Sequence, residues 1–214
     1  MNLKQLKQQF IQHFGEKNSH TAFAPGRVNL IGEYTDFNGG HVFPCALSSG
    51  TYALASLRTD RKVRLISTNF EQQGVIEFSL EHLVFEAQRD WANYPAGVFA
   101  MLMEQGVTFE HGLNILYSGD IPNGAGLSSS ASIEMVTAVL LRQMFGFERT
   151  QVQLVQLAQR AENQFNGMNC GIMDQFAVGM GEAEHALLLN TATLDYQIVP
   201  VDLGAQYTLL IANT

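Results

Sequence analysis

Apolar residues recur at helical spacing at Leu3, Leu6, Phe10, Ile11 and Phe14, which predicts an opening amphipathic helix ended by Gly15. The stretch TAFAPGRVNLIGEYTDFNGGHVFPCAL reads as strand-like, broken by Pro25, Gly26 and Gly32, with an Asn-Gly-Gly turn at Asn38 to Gly40. TYALASLR and KVRLIST alternate apolar and polar positions and are joined by Thr59 to Arg61, which predicts a β-hairpin; GVIEFSL adds a further strand. YPAGVFAMLMEQG predicts a helix, with Pro95 near its start and Gly106 past its end. HGLNILYSGDI is another strand, running into a Gly-rich loop from Pro122 to Ser130. Two helices are expected next, from about Ser132 to Phe145 and from about Thr150 to Phe165, followed by the glycine-bearing loop NGMNCGIMDQ. HALLLN, YQIVPV and YTLLIAN are three closing strand candidates.

Hairpins and helices are mixed without regular βαβ alternation, which predicts an α+β fold rather than a doubly wound parallel sheet. No internal repeat or linker divides residues 1–214, so one domain is expected. The last strand candidate runs into Thr214 with no polar tail, which suggests a truncated chain.

Composition narrows the function. With 46% hydrophobic and 15% charged residues the chain is globular in type. Its net charge of −8 repels a polyanion, so no nucleic-acid partner is expected, and a phosphate ligand needs local donors or a metal. Cys45 and Cys170 are too few for a disulfide scaffold or zinc cluster and read as free thiols in a reducing cytoplasm. Lys4 and Lys7 interrupt any signal-like apolar run, and no stretch is long enough to span a bilayer, so no membrane partner is expected.

The chemistry concentrates in three places. In PNGAGLSSSASIEMVTAVLLRQMF, Gly124 and Gly126 allow a tight turn and close backbone approach, and Ser128, Ser129 and Ser130 stand at the mouth of an apolar helix. A helix N-terminus offers unpaired N–H groups to an anion. No Lys precedes the serines, so this is not a Walker loop, and a triphosphate there calls for Mg²⁺, with a serine hydroxyl as a candidate ligand. The bland alternative is a serine N-cap. Glu162 lies on or beside the apolar face of its helix, as a metal ligand or as a boundary residue reaching solvent. Asp174 reads either as a carboxylate facing a cleft or as a helix N-cap. Arg27, Asn29, Glu33, Tyr34, Asp36 and Asn38 crowd a largely apolar segment, as a salt-bridged turn or as a polyol site, since carboxylates accept hydroxyl hydrogen bonds.

GRVNLIGEYTDFNGG resembles the galactokinase signature at about 25–40, PNGAGLSSSA at 122–131 resembles the phosphate loop of the GHMP kinases, and CGIMDQ resembles the loop bearing that superfamily's catalytic Asp. The resemblance implies a GHMP kinase N-terminal domain, with a mixed β-sheet packed with helices and a likeness to the second domain of ribosomal protein S5. It implies ATP and Mg²⁺ as cofactors, galactose as acceptor at its C1 hydroxyl, and a C-terminal GHMP domain that this chain lacks. Asp174 and Arg27 would be catalytic. Glu33, Tyr34, Asp36 and the Gly171 backbone would meet the sugar. Gly124, Ala125, Gly126, Leu127, Ser128, Ser129 and Ser130 would wrap the ATP phosphates, and Ser128 or Ser129 with Glu162 would hold Mg²⁺. Tyr34 stands where the family has His, and Phe37 where it has Tyr. The Tyr34 departure keeps a kinase for N-acetylgalactosamine, a uronic acid or arabinose as a rival, beside a non-catalytic sensor of galactose and ATP.

Overall fold

The structure is a computed structural model and describes residues 2–122, 124–202, 204 and 209–211. Helix α1, Leu3–Phe14, begins where the Asn2 side chain accepts the Lys4 N–H. It ends at Gly15, whose φ of 74° lets its N–H reach the Ile11 carbonyl. Its apolar stripe, Leu6 and Phe10, packs on Leu54, Ile66 and Leu116 and forms a small core on one face of the sheet.

Strands β1 (His20–Asn29), β2 (His41–Val42), β3 (Pro44–Leu57), β4 (Lys62–Ser67), β5 (Ile76–Ser79), β6 (Leu113–Gly119), β7 (His185–Asn190) and β8 (Tyr196–Pro200) form one mixed sheet. Pro25 and Gly26 do not break β1; they shift its register against β3 between Pro25 and Arg27. Gly26 has a second reason to be glycine, because a Cβ there would meet the Leu127 carbonyl at 2.8 Å. The Gly- and Ser-rich loop after β6 therefore lies directly on β1, and the Arg27 N–H donates to that same carbonyl at 3.2 Å.

The expected hairpin between TYALASLR and KVRLIST does not form. β6 lies between β3 and β4, antiparallel to the first and parallel to the second. Alternation fixes which face of a strand is buried but not its neighbour. Leu113 to Ser118 are buried throughout, which demands a central place. GVIEFSL does add a strand, β5, which pairs antiparallel with β4. The candidate YTLLIAN is only partly described: Leu209–Ile211 carry no regular structure, and its other residues lie outside the described ones.

Helices α2 (Asn93–Glu104), α3 (Ser129–Phe145), α4 (Gln151–Arg160) and α5 (Met173–Met180) cover the opposite face of the sheet. Ala53, Ala55, Val63, Leu65, Ile115 and Tyr117 point into this larger core, where Phe99, Val136 and Phe176 meet them. α3 starts three residues before the expected Ser132. α4 has a capping box from Thr150 and Gln153, then passes into a single π turn, Ala161–Phe165, where an unbroken helix was expected. The result is the α+β fold anticipated from the sequence.

Candidate active site

The loop after β6 carries positive φ at alternate positions: Gly124 (71°), Gly126 (66°) and Ser128 (60°). Alternation of this kind turns successive N–H groups toward one concave side, ahead of the free N–H groups of α3. Ser128 is the costly member, since a side chain disfavours that region. Its hydroxyl does not cap α3. It donates to Asp174 Oδ2 at 2.6 Å, so a second element holds the strained conformation.

Arg27, near the end of β1, joins three elements. Its Nε and Nη2 meet Asp174 Oδ1 at 2.8 and 2.6 Å, and Nη1 donates to the Gly126 carbonyl at 2.6 Å. Asp174 is not the N-cap of α5; Ile172 holds that place, and Asp174 sits in the first turn with its carboxylate turned to Arg27 and Ser128. The predicted segment around Arg27 is thus no self-contained salt-bridged turn. Its arginine reaches across 147 positions to a carboxylate on another element.

Glu162 is 7% exposed, so it does not reach solvent as a boundary residue. Burial pushes its carboxyl above the ordinary 4.5, and a hydrogen bond from Ser130 pulls the other way. Ser130 is thus the serine that bears on Glu162, whereas Ser128 donates to Asp174; all three serines line one cleft with Arg27 and Asp174. Gln175 Nε2 donates both to Glu162 Oε2 and, at 3.3 Å, to Glu134 Oε2. Glu134 is fully buried, and burial together with the Glu162 charge pushes its carboxyl well up. Cys170 adjoins this cluster; burial pushes its thiol up to about 12, which makes it unreactive.

The sugar-like segment is only half gathered. Asp36 lies against Gly171 so closely that a Cβ there would stand 1.9 Å from Asp36 Oδ2, and both line a shallow cleft with Phe37 and Gln159. Glu33 is exposed, and its Oε1 accepts from Asn29 Nδ2 at 2.8 Å. Tyr34 adopts φ 61°, is 79% exposed and meets Phe37 edge-on at 6.1 Å.

One feature escaped the sequence. A cavity of about 290 Å³ opens beside Ser129 and Ser130, walled by Phe70, Trp91, Tyr94 and Tyr117. Phe70 and Trp91 stack at 6.3 Å, and Trp91 Nε1 is buried without a partner. Asp90, at its rim, is held at φ 46°, a strained conformation of the kind found at ligand sites. These aromatics come from three separate segments, around Phe70, Trp91 to Tyr94 and Tyr117, so no single spacing marks them; the sole tryptophan, three residues before Tyr94, was the available hint.

Two family models match the chain: the galactokinase galactose-binding signature over residues 8–57 and the GHMP kinases N-terminal domain over residues 93–182. A galactokinase of Staphylococcus saprophyticus is 53% identical over 99% of the chain, and that alignment covers 55% of the relative. A Bacillus subtilis galactokinase is 53% identical over 99% of the chain and 54% of its own length. The crystal structure of Lactococcus lactis galactokinase complexed with galactose superposes with a TM-score of 0.90 at 45% identity, covering 94% of this chain and 52% of that one. The chain spans about half the length of the curated relatives it matches. No helix among the described residues is long and apolar enough to cross a membrane.

Proposed function

The chain belongs to the galactokinase family of the GHMP kinases, and from that premise we propose that it is the N-terminal part of an enzyme that transfers the γ-phosphoryl group of ATP to the C1 hydroxyl of galactose. The observation that carries this reading is the junction of Arg27, Ser128 and Asp174 at the phosphate loop. Phosphoryl transfer has a loose transition state and depends mainly on positioning and electrostatics. Asp174 orients the attacking hydroxyl and accepts its proton. Arg27 keeps that carboxylate in place and sets positive charge beside the transferring group. The N–H groups of residues 124–130 receive the phosphates, and the aromatic cavity next to Ser129 and Ser130 is the place for adenine. Asp36, Glu33 and the Gly171 backbone receive sugar hydroxyls, with Tyr34 at the rim.

The residues fit Mg²⁺. Glu162 and Ser130 are oxygen donors, and no ion pair satisfies Glu162 among the described residues. No set of three or more His, Cys, Asp or Glu forms a metal cage there, which suits an ion that keeps waters and binds partly through phosphates. When bound, Mg²⁺ offsets the charge of the phosphate oxygens. Cys45 and Cys170 are free thiols, in keeping with a cytoplasmic enzyme.

Mg²⁺-dependent ADP release, measured on the full-length enzyme and on residues 1–214 alone, tests the reading. The sugars are galactose, 2-deoxygalactose, N-acetylgalactosamine, galacturonate and glucose. Turnover with galactose by the full-length enzyme is expected. Release with another sugar alone would make Tyr34 a specificity change, and silence with all five would leave a sensor. Asp36→Ala should lose sugar selectivity far more than ATP affinity, because a site built to bond a hydroxyl discriminates by up to about 10⁴-fold.

A further inference from the structure

The Gln175 side chain is wholly buried, and its amide has two N–H bonds directed at two carboxyl groups on two other elements: Glu162 on the π turn and Glu134 on α3. Gln175 also follows Asp174 directly, so the first turn of α5 presents Asp174 to Arg27 and holds Glu162 through the next residue. Glu134 is 0% exposed and lies behind this pair. Glu134 Oε1 and Gln175 Oε1 are both buried without partners. Unpaired buried acceptors weaken a fold, and apolar side chains of the same volume would serve a purely structural core as well or better. Three polar side chains here form a chain of contacts that ends at Glu162.

We propose that Glu134 and Gln175 are positioning residues that fix the Glu162 carboxylate for a divalent cation; the inference rests on the reading of Glu162 as the metal ligand. Glu162 stands on a π turn, an interruption of the helix of a kind frequent at functional sites. Gln175 ties its Oε2 to α5, and Glu134 prevents the Gln175 amide from rotating by holding its second N–H from α3. The Ser130 hydroxyl meets the same carboxyl from the phosphate loop. The carboxylate is thus oriented before any ligand arrives. Supports of this kind are typically worth about 10–100-fold in metal affinity.

The test uses the full-length enzyme and Mn²⁺ as the probe, with binding in the presence of ADP followed by electron paramagnetic resonance. Glu134→Met should weaken Mn²⁺ binding by about tenfold or more and leave galactose binding within about twofold. Glu134→Gln keeps an oxygen facing Gln175 and should stay close to wild type. Gln175→Leu should match Glu134→Met, and the double variant should be no worse than the poorer single, because both break one chain of contacts. If Glu134→Met does not fold, Gln175→Leu against Glu134→Gln gives the same contrast. Wild-type Mn²⁺ affinity in Glu134→Met or Gln175→Leu overturns the proposal, as does equal damage by Glu134→Gln. No Mn²⁺ binding by the wild type with ADP would overturn the metal reading of Glu162 itself, and this inference with it.

Discussion

Asp174 and Glu162 both border the Gly- and Ser-rich loop, and the fold provides for their charges differently. Asp174 has a guanidinium on one oxygen and a hydroxyl on the other. Glu162 is more deeply buried, at 7% exposure, and its neighbours are Ser130, Gln175 and Cys170, with the charge of Asp174 and the buried carboxyl of Glu134 nearby. A buried carboxylate without a cation is costly. The first carboxylate is therefore complete within the protein, in keeping with the role proposed for it toward a substrate proton. The second lacks only a positive charge, which a ligand can bring.

The contrast breaks most visibly at Asp174. Asp174→Asn keeps the shape but removes the charge that Arg27 and Ser128 hold. In the full-length enzyme it should lower kcat by about 10²–10⁴-fold and change Mn²⁺ affinity little. Near-normal turnover would remove Asp174 from the chemistry. Glu162→Gln should do the reverse. It should weaken Mn²⁺ binding with ADP by about 100-fold and leave galactose binding unchanged. A variant that bound Mn²⁺ as well as the wild type would show that the counter-charge of Glu162 is not a metal. Gly171→Ala tests whether the sugar segment is separate from both carboxylates. Its Cβ would collide with Asp36, so the galactose KM should rise about tenfold with Mn²⁺ binding intact. An unchanged KM would place the sugar elsewhere.

Much of this was legible in the sequence, for a physical reason in each case. α1 and α2 have apolar stripes and glycine ends, and Asp174, Arg27 and the loop stand in recognisable motifs. What was illegible depends on distant partners. The false hairpin arose because β3 and β4 each carry a correct alternation, while the strand that separates them is supplied about fifty residues later, by Leu113–Gly119. The three serines are identical letters. Only the positive φ of Ser128 turns its hydroxyl to Asp174 and leaves Ser130 for Glu162. Glu134 had a signal that went unread: Ala131, Thr137 and Ala138, its neighbours one turn away, are all apolar or small and buried, so a glutamate there lies on an inward face.

The smallest expected effect is on stability, and it comes from the buried carboxyls of Glu134 and Glu162. Burial pushes the carboxyls of Glu134 and Glu162 above the ordinary 4.5, most strongly for Glu134. Between 4.5 and those raised values the folded protein therefore binds more protons than the unfolded chain. Stability then falls as pH rises through that window, and the stabilisation is fully present only below the unfolded pKa. The metal-free full-length enzyme should thus melt at a lower temperature as pH rises above the ordinary 4.5 of these carboxyls. The C-terminal half titrates as well, so the quantity to read is the difference between wild type and Glu134→Gln, which removes the Glu134 share. That difference should shift in favour of Glu134→Gln as pH rises. Parallel melting curves for the two proteins across the range would mean that Glu134 gives up its proton without cost.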